Sequence, residues 1–283
     1  MKIKYALLDT WSACKLTNME ITFLIHIAHL QDQDDSGRVM GVYYRDARTA
    51  CGMSIQTFYD VLHSLTEKGV IEYTRVKDDY DITILNNDTS YKGAYEEGYI
   101  NVSRLVFDSK SFRNLRAKEK MLFLLFMKVT HENGKTYQIG TEKFYEKYTT
   151  LLGVTKNILR TYLHSLRKFF SIGRKDGKYL ITYLTSVFKP RKPISETDQF
   201  LGHVVKVNCR RSKIKEVKDE AIKDTIQLIK QYRNEARDQG LSIQGIISNC
   251  ISYSVQNFTH KILDAKYVHK LMRKQLGLNG AWN

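Results

Sequence analysis

Residues 155–187 carry a strong excess of cationic side chains. This stretch carries seven Lys or Arg residues against one acid, a net charge of +6. Lys and Arg form charge-assisted hydrogen bonds with phosphate, and Arg and Asn can make paired hydrogen bonds to guanine and adenine edges. A second stretch, residues 54–86, has three bases against six acids, a net charge of −3. The chemistry indicated by the first stretch is the binding of a polyanion.

The whole chain has the same bias. Its 283 residues hold 45 Lys and Arg against 30 Asp and Glu, a formal net charge of +15. This balance is expected of a protein that binds a polyanion, and it is shared by ribosome-associated proteins, membrane-surface proteins and merely basic soluble proteins. Four scattered cysteines (14, 51, 209 and 250) indicate reduced thiols in a cytoplasmic protein. The longest apolar run, Met121 to Met127, is too short to cross a bilayer, so we expect a soluble protein with no membrane partner.

The sequence does not favour enzymatic chemistry. His26 and His29 stand three residues apart on a predicted helix, but no Cys or carboxylate completes a metal-ligand spacing. The chain has no G-x-x-x-x-G-K-[ST] phosphate loop and no His-x-His motif. We therefore expect no enzyme activity, no cofactor and no metal site.

The elements that must position the cationic stretch are found through an internal repeat. The tetrapeptide LHSL occurs at Leu62 and again at Leu163, 101 residues later. With the same offset, the apolar stripe that begins at Ile21 falls on the stripe that begins at Leu122, so both copies are predicted to start with a buried helix. The first of these helices opens with the capping box Thr17-x-x-Glu20.

The following elements also align. Gly52 matches Gly153 at a helix-to-helix turn, and the hydroxyls of Ser54 and Thr155 are suited to cap the next helix. Both LHSL helices lead into a two-stranded hairpin, which in the second copy turns at Asp176-Gly177. The alignment of the last strands requires a second hairpin shorter by two residues. The order helix, helix, turn, helix, hairpin therefore occurs twice.

This order is that of a winged helix-turn-helix. The run SIQTFYDVLHSLTEKGVI, residues 54–71, resembles the third helix of that superfamily, whereas Phe169 and Phe170 replace the glycine exit in the second copy. We expect an α+β, predominantly helical chain with two tandem winged helix-turn-helix domains and a C-terminal helical segment. The predicted boundaries are 1–88 (the first repeat), a linker at 89–98, 99–188 (the second repeat), a basic linker at 189–212, and a helical region at 213–283.

The resemblance implies which side chains would touch DNA, because the third helix of a winged helix enters the major groove and the wing holds the backbone. In the second repeat we expect the following base-reading side chains: Thr155, Lys156, Asn157, Arg160, Thr161 and His164. Phosphate contacts are expected from Arg174, Lys175, Lys178 and Lys168.

Two interpretations of the first repeat remain open, DNA binding and protein binding. Its third helix offers Ser54, Gln56, Thr57 and Tyr59 to bases, and its second helix offers Arg45 and Arg48 to phosphate. Its acidic hairpin fits equally well with a protein partner or a dimer mate. The C-terminal helices could also make a homo-oligomer or receive a partner.

Residues 99–174 resemble the N-terminal winged helix of plasmid and phage replication initiators. The likeness rests on the lead-in YINVSRLVFDSKSF, the helix KEKMLFLLF and the strand GKTYQI. It implies a non-enzymatic protein that binds repeated double-stranded sites at an origin. A transcriptional regulator built from the same parts, and a scaffold in which both winged helices bind proteins, remain alternatives.

Overall fold

A computed structural model describes residues 1–31, 36–90, 97–184, 195–214, 217–257 and 262–278. The fold is α+β and mainly helical, with small antiparallel sheets. The chain divides into two compact units, Met1–Arg75 with Asp79–Pro193, and Val76–Asp78 with Ile194–Asn283. No helix in the described ranges is both long and apolar enough to cross a membrane.

The elements of the first repeat are β1 (Lys2–Lys4), α1 (Tyr5–Ala13), α2 (Asn18–Ala28), β2 (Arg38–Val42), α3 (Tyr44–Cys51), α4 (Ile55–Glu67), β3 (Ile71–Val76) and β4 (Asp79–Ile84). They contain the predicted three helices and hairpin (α2, α3, α4 and β3–β4), together with β1, α1 and β2, which were not predicted. The predicted capping box opens α2: Thr17 accepts from the Glu20 amide, and the Glu20 carboxylate accepts from the Thr17 amide. Gly52 ends α3 in the left-handed region at φ 69°.

The second repeat follows the same order after a longer lead-in. Its elements are β5 (Tyr99–Asn101), α5 (Arg104–Asp108), α6 (Lys110–Arg113), α7 (Ala117–Glu132), β6 (Thr136–Gly140), α8 (Thr141–Leu152), α9 (Lys156–Leu166), β7 (Phe170–Lys175) and β8 (Lys178–Tyr183). Gly153 takes φ 56° at the position that corresponds to Gly52. The leucines of both LHSL motifs are buried, as predicted.

Each repeat builds a three-stranded sheet in which the last strand lies in the middle, in the orders β2-β4-β3 and β6-β8-β7. The two hairpins β3–β4 and β7–β8 have strands of equal length and equal two-residue turns. The expected shortening of the second hairpin is therefore wrong. The second repeat is shorter by two residues in its third helix instead, because α9 has 11 residues and α4 has 13.

The two repeats share one continuous apolar core, which extends from Met1 to Ile181. The lead strands β1 and β5 pair antiparallel with Ile3 opposite Ile100, and α7 packs on both α1 and α2. Burial of α7 all round explains its unbroken apolar run, since each side meets a different repeat. The predicted domains 1–88 and 99–188 are thus packed together in one unit.

The second unit is helical. It contains α10 (Glu196–Arg211), α11 (Asp219–Asp238), α12 (Ile243–Asn257) and α13 (Ala265–Gln275). The basic linker predicted at 189–212 is wrong over most of its length, because α10 buries Phe200, Leu201, Val204 and Val205 on a helical stripe. The stripe was not recognised in the sequence because basic residues lie among its apolar residues. The proline-containing segment KPRKP, residues 189–193, lies outside the described residues.

Candidate nucleic-acid interface

Helix α9 separates a buried face from an exposed polar face. Thr155 caps its first turn, with Oγ1 accepting from the Ile158 amide at 3.4 Å. The buried face carries Leu159, Tyr162, Leu163 and Leu166. The predicted contact residues of the second repeat are all exposed: Thr155, Lys156, Asn157, Arg160, Thr161, His164, Lys168, Arg174, Lys175 and Lys178.

The β7–β8 hairpin is held at a fixed place beside α8. Asp176 and Gly177 have φ 48° and 70°, as a tight two-residue turn of this hand requires. The Gly177 carbonyl accepts from the Thr141 amide at 2.9 Å and from the Thr141 hydroxyl at 2.7 Å, at the first residue of α8. Lys175 and Lys178 lie opposite each other at the tip. The hairpin therefore presents its cations from an anchored tip.

Tyr145 joins the helices and the hairpin of the second repeat. Its phenolic oxygen accepts from Arg160 Nε at 3.1 Å and lies 2.9 Å from the Tyr179 hydroxyl. The ring also lies under two cations, with Arg160 Cζ at 5.6 Å and Lys156 Nζ at 5.9 Å from its centroid. Residues Tyr145, Arg160, Lys156 and Tyr179, called here the tyrosine–arginine cluster, thus tie α8, α9 and β8 together.

The cluster shifts the acidity of both phenols in opposite directions. Burial alone would raise the pKa of Tyr145, but its hydrogen bonds with Tyr179 and Arg160 and the positive charge of Arg160 outweigh burial and lower that pKa. Burial and the bond to Tyr145 raise the pKa of Tyr179 to about 12. The 2.9 Å contact between the two hydroxyls joins these phenols, and either oxygen can be the donor.

Two of the predicted base-reading residues are bonded to each other. Arg160 Nη1 donates to Asn157 Oδ1 at 3.4 Å, while Thr161 donates to the Asn157 carbonyl at 3.3 Å. Among the described residues, Arg160 Nη2 has no partner. Arg160 is thus oriented by Tyr145 and Asn157 with one amino group available at the surface.

The polar side chains at the exposed face of α4 already make contacts within the first repeat. Ser54 caps α4 by accepting from the Thr57 amide at 3.0 Å, and the two hydroxyls lie 2.8 Å apart. Gln56 donates to Asp60 at 2.8 Å, and Tyr59 packs on Tyr80 with ring centroids 6.4 Å apart. The hydroxyls of Ser54 and Thr57 therefore take part in the cap of α4.

The two arginines predicted on the second helix of the first repeat are exposed. Arg45 donates from Nε to the Tyr44 hydroxyl at 3.0 Å, and Arg48 lies one turn further along α3. The Asp81 carboxylate on β4 accepts from Arg38 at 3.2 Å and from the Gly41 amide at 2.9 Å. Arg45 and Arg48 thus lie on the surface of a repeat that carries net negative charge.

Tyr145 and Tyr179 were missed by sequence reasoning. Tyr145 follows Phe144 of the α8 core stripe, and the helical spacing alone does not indicate that Tyr145 contacts α9. The basic residue at position 160 was found from the charge pattern, whereas its phenolic partner comes from another helix. Such a contact depends on the packing of α8 against α9.

No group of three or more His, Cys, Asp or Glu side chains in the described parts of the chain could hold a metal ion. His29 is turned inward: Nδ1 lies 2.8 Å from the Ile25 carbonyl, and burial lowers the pKa of the ring to about 3. The four cysteines are free thiols. Burial raises the pKa of Cys51, Cys209 and Cys250 to about 12, so these sulfurs stay protonated.

Comparison of the chain with protein-family models, with curated proteins and with solved structures finds no match.

Proposed function

We propose that the chain is a non-enzymatic, sequence-specific double-stranded DNA-binding protein in which each repeat is a winged helix-turn-helix. The proposal is supported by the repeated element order and by the sheet order with the last strand in the middle. In such a domain the helix before the hairpin enters the major groove and the hairpin holds the backbone. Those elements are α9 with β7–β8 in the second repeat.

The observation that carries the proposal is the exposed cationic surface of α9 and the β7–β8 hairpin. Seven bases against one acid lie on residues 155–187, and all the bases are exposed. DNA presents about one negative charge per 1.7 Å of axis, so this surface gains the release of condensed counterions on binding. A solvated surface without a polyanion partner would instead carry both signs of charge.

The two repeats would have different binding roles. The second repeat would read bases with Arg160 and Asn157 and grip phosphate with the lysines of the hairpin tip. The first repeat, with a net charge of −3 on residues 54–86, would be repelled by DNA unless Arg45 and Arg48 offset that charge. Its α4 surface is better suited to a protein partner or a second copy.

A role in the initiation of replication rests on the resemblance of residues 99–174 to initiators, with repeated origin sites as the target. A transcriptional regulator would use the same surface. Mapping bound sites across the genome separates the two roles, since repeats at an origin favour the initiator and promoter sites favour the regulator.

The salt dependence of DNA affinity tests the proposed surface. We expect the fluorescence anisotropy of a labelled duplex of about 30 base pairs to report binding that weakens with salt. If the four predicted phosphate contacts of the second repeat are made, log K should fall against log salt with a slope of about −3 to −4. Weak binding with no sequence preference at low salt would instead favour a protein-interaction scaffold.

A further inference from the structure

A cavity of about 170 Å³ lies in the first unit where the two repeats meet. It is partly open to solvent and is lined by residues of α2, the end of α3, the short helices α5 and α6, and the start of α7. None of its walls belongs to the exposed surface of α9 or to the β7–β8 hairpin. The cavity is therefore separate from the proposed DNA contact.

The cavity holds a buried lysine without an acidic partner. Lys120 is only 2% exposed, and its ammonium donates to Thr22 Oγ1 at 2.8 Å and lies 5.5 Å from the Phe112 ring centroid. Among the described residues no carboxylate pairs with it. Burial lowers the pKa of Lys120 to about 8, which still leaves most of the ammonium charged at pH 7. A buried charge of this kind is costly unless an anion offsets it.

Two further cations line the same cavity and share a single acid. Arg104 Nε lies 3.5 Å from one Asp108 oxygen and Arg113 Nη2 lies 3.7 Å from the other. Asp108 is the one carboxylate in the cavity lining, so Lys120, Arg104 and Arg113 leave an excess of two positive charges there.

Asn18 and His29, at the two ends of α2, are also among the residues that line the cavity. Asn18 Oδ1 and His29 Nε2 are buried and have no hydrogen-bond partner in the described structure. The Ile25 carbonyl at 2.8 Å fixes the His29 proton on Nδ1, because a carbonyl only accepts, so Nε2 is an acceptor. Unpaired buried acceptors each cost about 1–3 kcal/mol.

We propose that this cavity binds a small organic anion that also carries hydrogen-bond donors. The negative group would meet Lys120 and the two arginines, and the donors would meet Asn18 and His29. The size fits a molecule of about six non-hydrogen atoms, since a water occupies ~30 Å³ and pockets for drug-sized ligands begin at ~300 Å³. A hydroxy or amino carboxylate has both features.

Calorimetric titration of the full chain at pH 7 with three matched probes tests this proposal. L-Lactate has the charge and the donor, propionate lacks the donor, and lactamide lacks the charge. We expect saturable binding of L-lactate, and about tenfold weaker binding of each of the other two, as for one lost buried hydrogen bond or charge contact. The proposal is overturned if L-lactate does not bind, or if either propionate or lactamide binds as tightly as L-lactate.

Two variants assign the binding to this cavity. Lys120→Met should lower the affinity for L-lactate at least about tenfold, since a hydrogen bond to a charged group is lost. Lys118→Met, an exposed position on the same helix, should leave it unchanged. Asn18→Ala serves if Lys120→Met does not fold, with the same expected loss. Unchanged L-lactate affinity in whichever of Lys120→Met and Asn18→Ala is folded contradicts the site.

Discussion

The guanidinium of Arg160 donates from Nε to the phenolic oxygen of Tyr145 at 3.1 Å, across the junction of α9 and α8. Tyr145 in turn lies 2.9 Å from the Tyr179 hydroxyl on β8. The residue proposed to read a base is therefore oriented by contacts with both α8 and β8. Less side-chain entropy is lost when such a pre-oriented arginine binds.

Removal of the Tyr145 hydroxyl should weaken specific DNA binding. We expect Tyr145→Phe to reduce the affinity about three- to tenfold, because a net hydrogen bond contributes ~0.5–1.5 kcal/mol. In the background of Arg160→Ala the same change should have little effect, since the two residues act through one contact. Anisotropy titrations of the unsubstituted chain, the two single variants and the double variant measure this difference.

Tyr183→Phe is the matched control, because this tyrosine lies on the same strand as Tyr179 and has no hydrogen bond among the described residues. It should leave the affinity unchanged. Equal losses for Tyr145→Phe and Tyr183→Phe would show that the cluster does not orient Arg160.

The lysines of the hairpin tip should contribute affinity without sequence preference. We expect Lys175→Ala and Lys178→Ala each to weaken all duplexes about equally and to reduce the salt slope by about one, as for one lost phosphate contact. Lys223→Ala, an exposed lysine on α11, should not change the slope. A change in the preferred sequence with an unchanged slope would assign these lysines to bases.

The caps of the two LHSL helices should matter for stability and not for recognition. Thr155→Ala and Ser54→Ala each remove the acceptor for a first-turn amide of their helix. Each should lower the free energy of unfolding by about 1 kcal/mol. Urea unfolding measures that loss, and selected binding sequences should be identical to those of the unsubstituted chain. Loss of preference at a base pair with unchanged stability would show instead that the hydroxyl reads DNA.

Lys120 should destabilise the chain in a pH window that its own pKa defines. Burial lowers the pKa to about 8 from the ordinary 10.5, so the unfolded chain binds more protons than the folded chain between these values. Stability should therefore rise with pH across that window, and the full penalty should be present below pH 8. Each unit by which the pKa of Lys120 is lowered costs ~1.4 kcal/mol of folding free energy. Lys120→Met removes this cost and should therefore stabilise the chain by about 3 kcal/mol at pH 7.

This gain should shrink steadily above pH 8 and vanish near pH 10.5, where Lys120 would be neutral in both states. Urea unfolding of both proteins at several pH values, in buffers without carboxylates, measures it. A loss of stability at pH 7 on Lys120→Met would mean that the ammonium is paired and stabilising.

Local signals in the sequence were sufficient for the repeated helices and the hairpins. The Thr17–Glu20 capping box, the left-handed glycines 52 and 153, and the Asp176-Gly177 turn are each fixed by backbone chemistry within a few residues. For the same reason the buried leucines of LHSL could be predicted from helical spacing. The exposed cations of α9 and its hairpin followed from charge alone.

Long-range packing could not be read in the same way. The pairing of Ile3 with Ile100 and the position of α7 between the repeats depend on contacts about 100 residues apart. Tyr145 owes its role to Arg160 on another helix, and Lys120 owes its environment to side chains of α2, α5 and α6. Helix α10 was hidden because its apolar stripe lies among basic residues.

Selection of bound duplexes from a random library, followed by sequencing, tests the central claim most directly. The full chain should enrich one preferred sequence, and Arg160→Ala should relax the preference at one base pair while costing about 1–3 kcal/mol. Enrichment of no sequence by the full chain, or an identical preference and affinity for Arg160→Ala, would contradict base reading by α9.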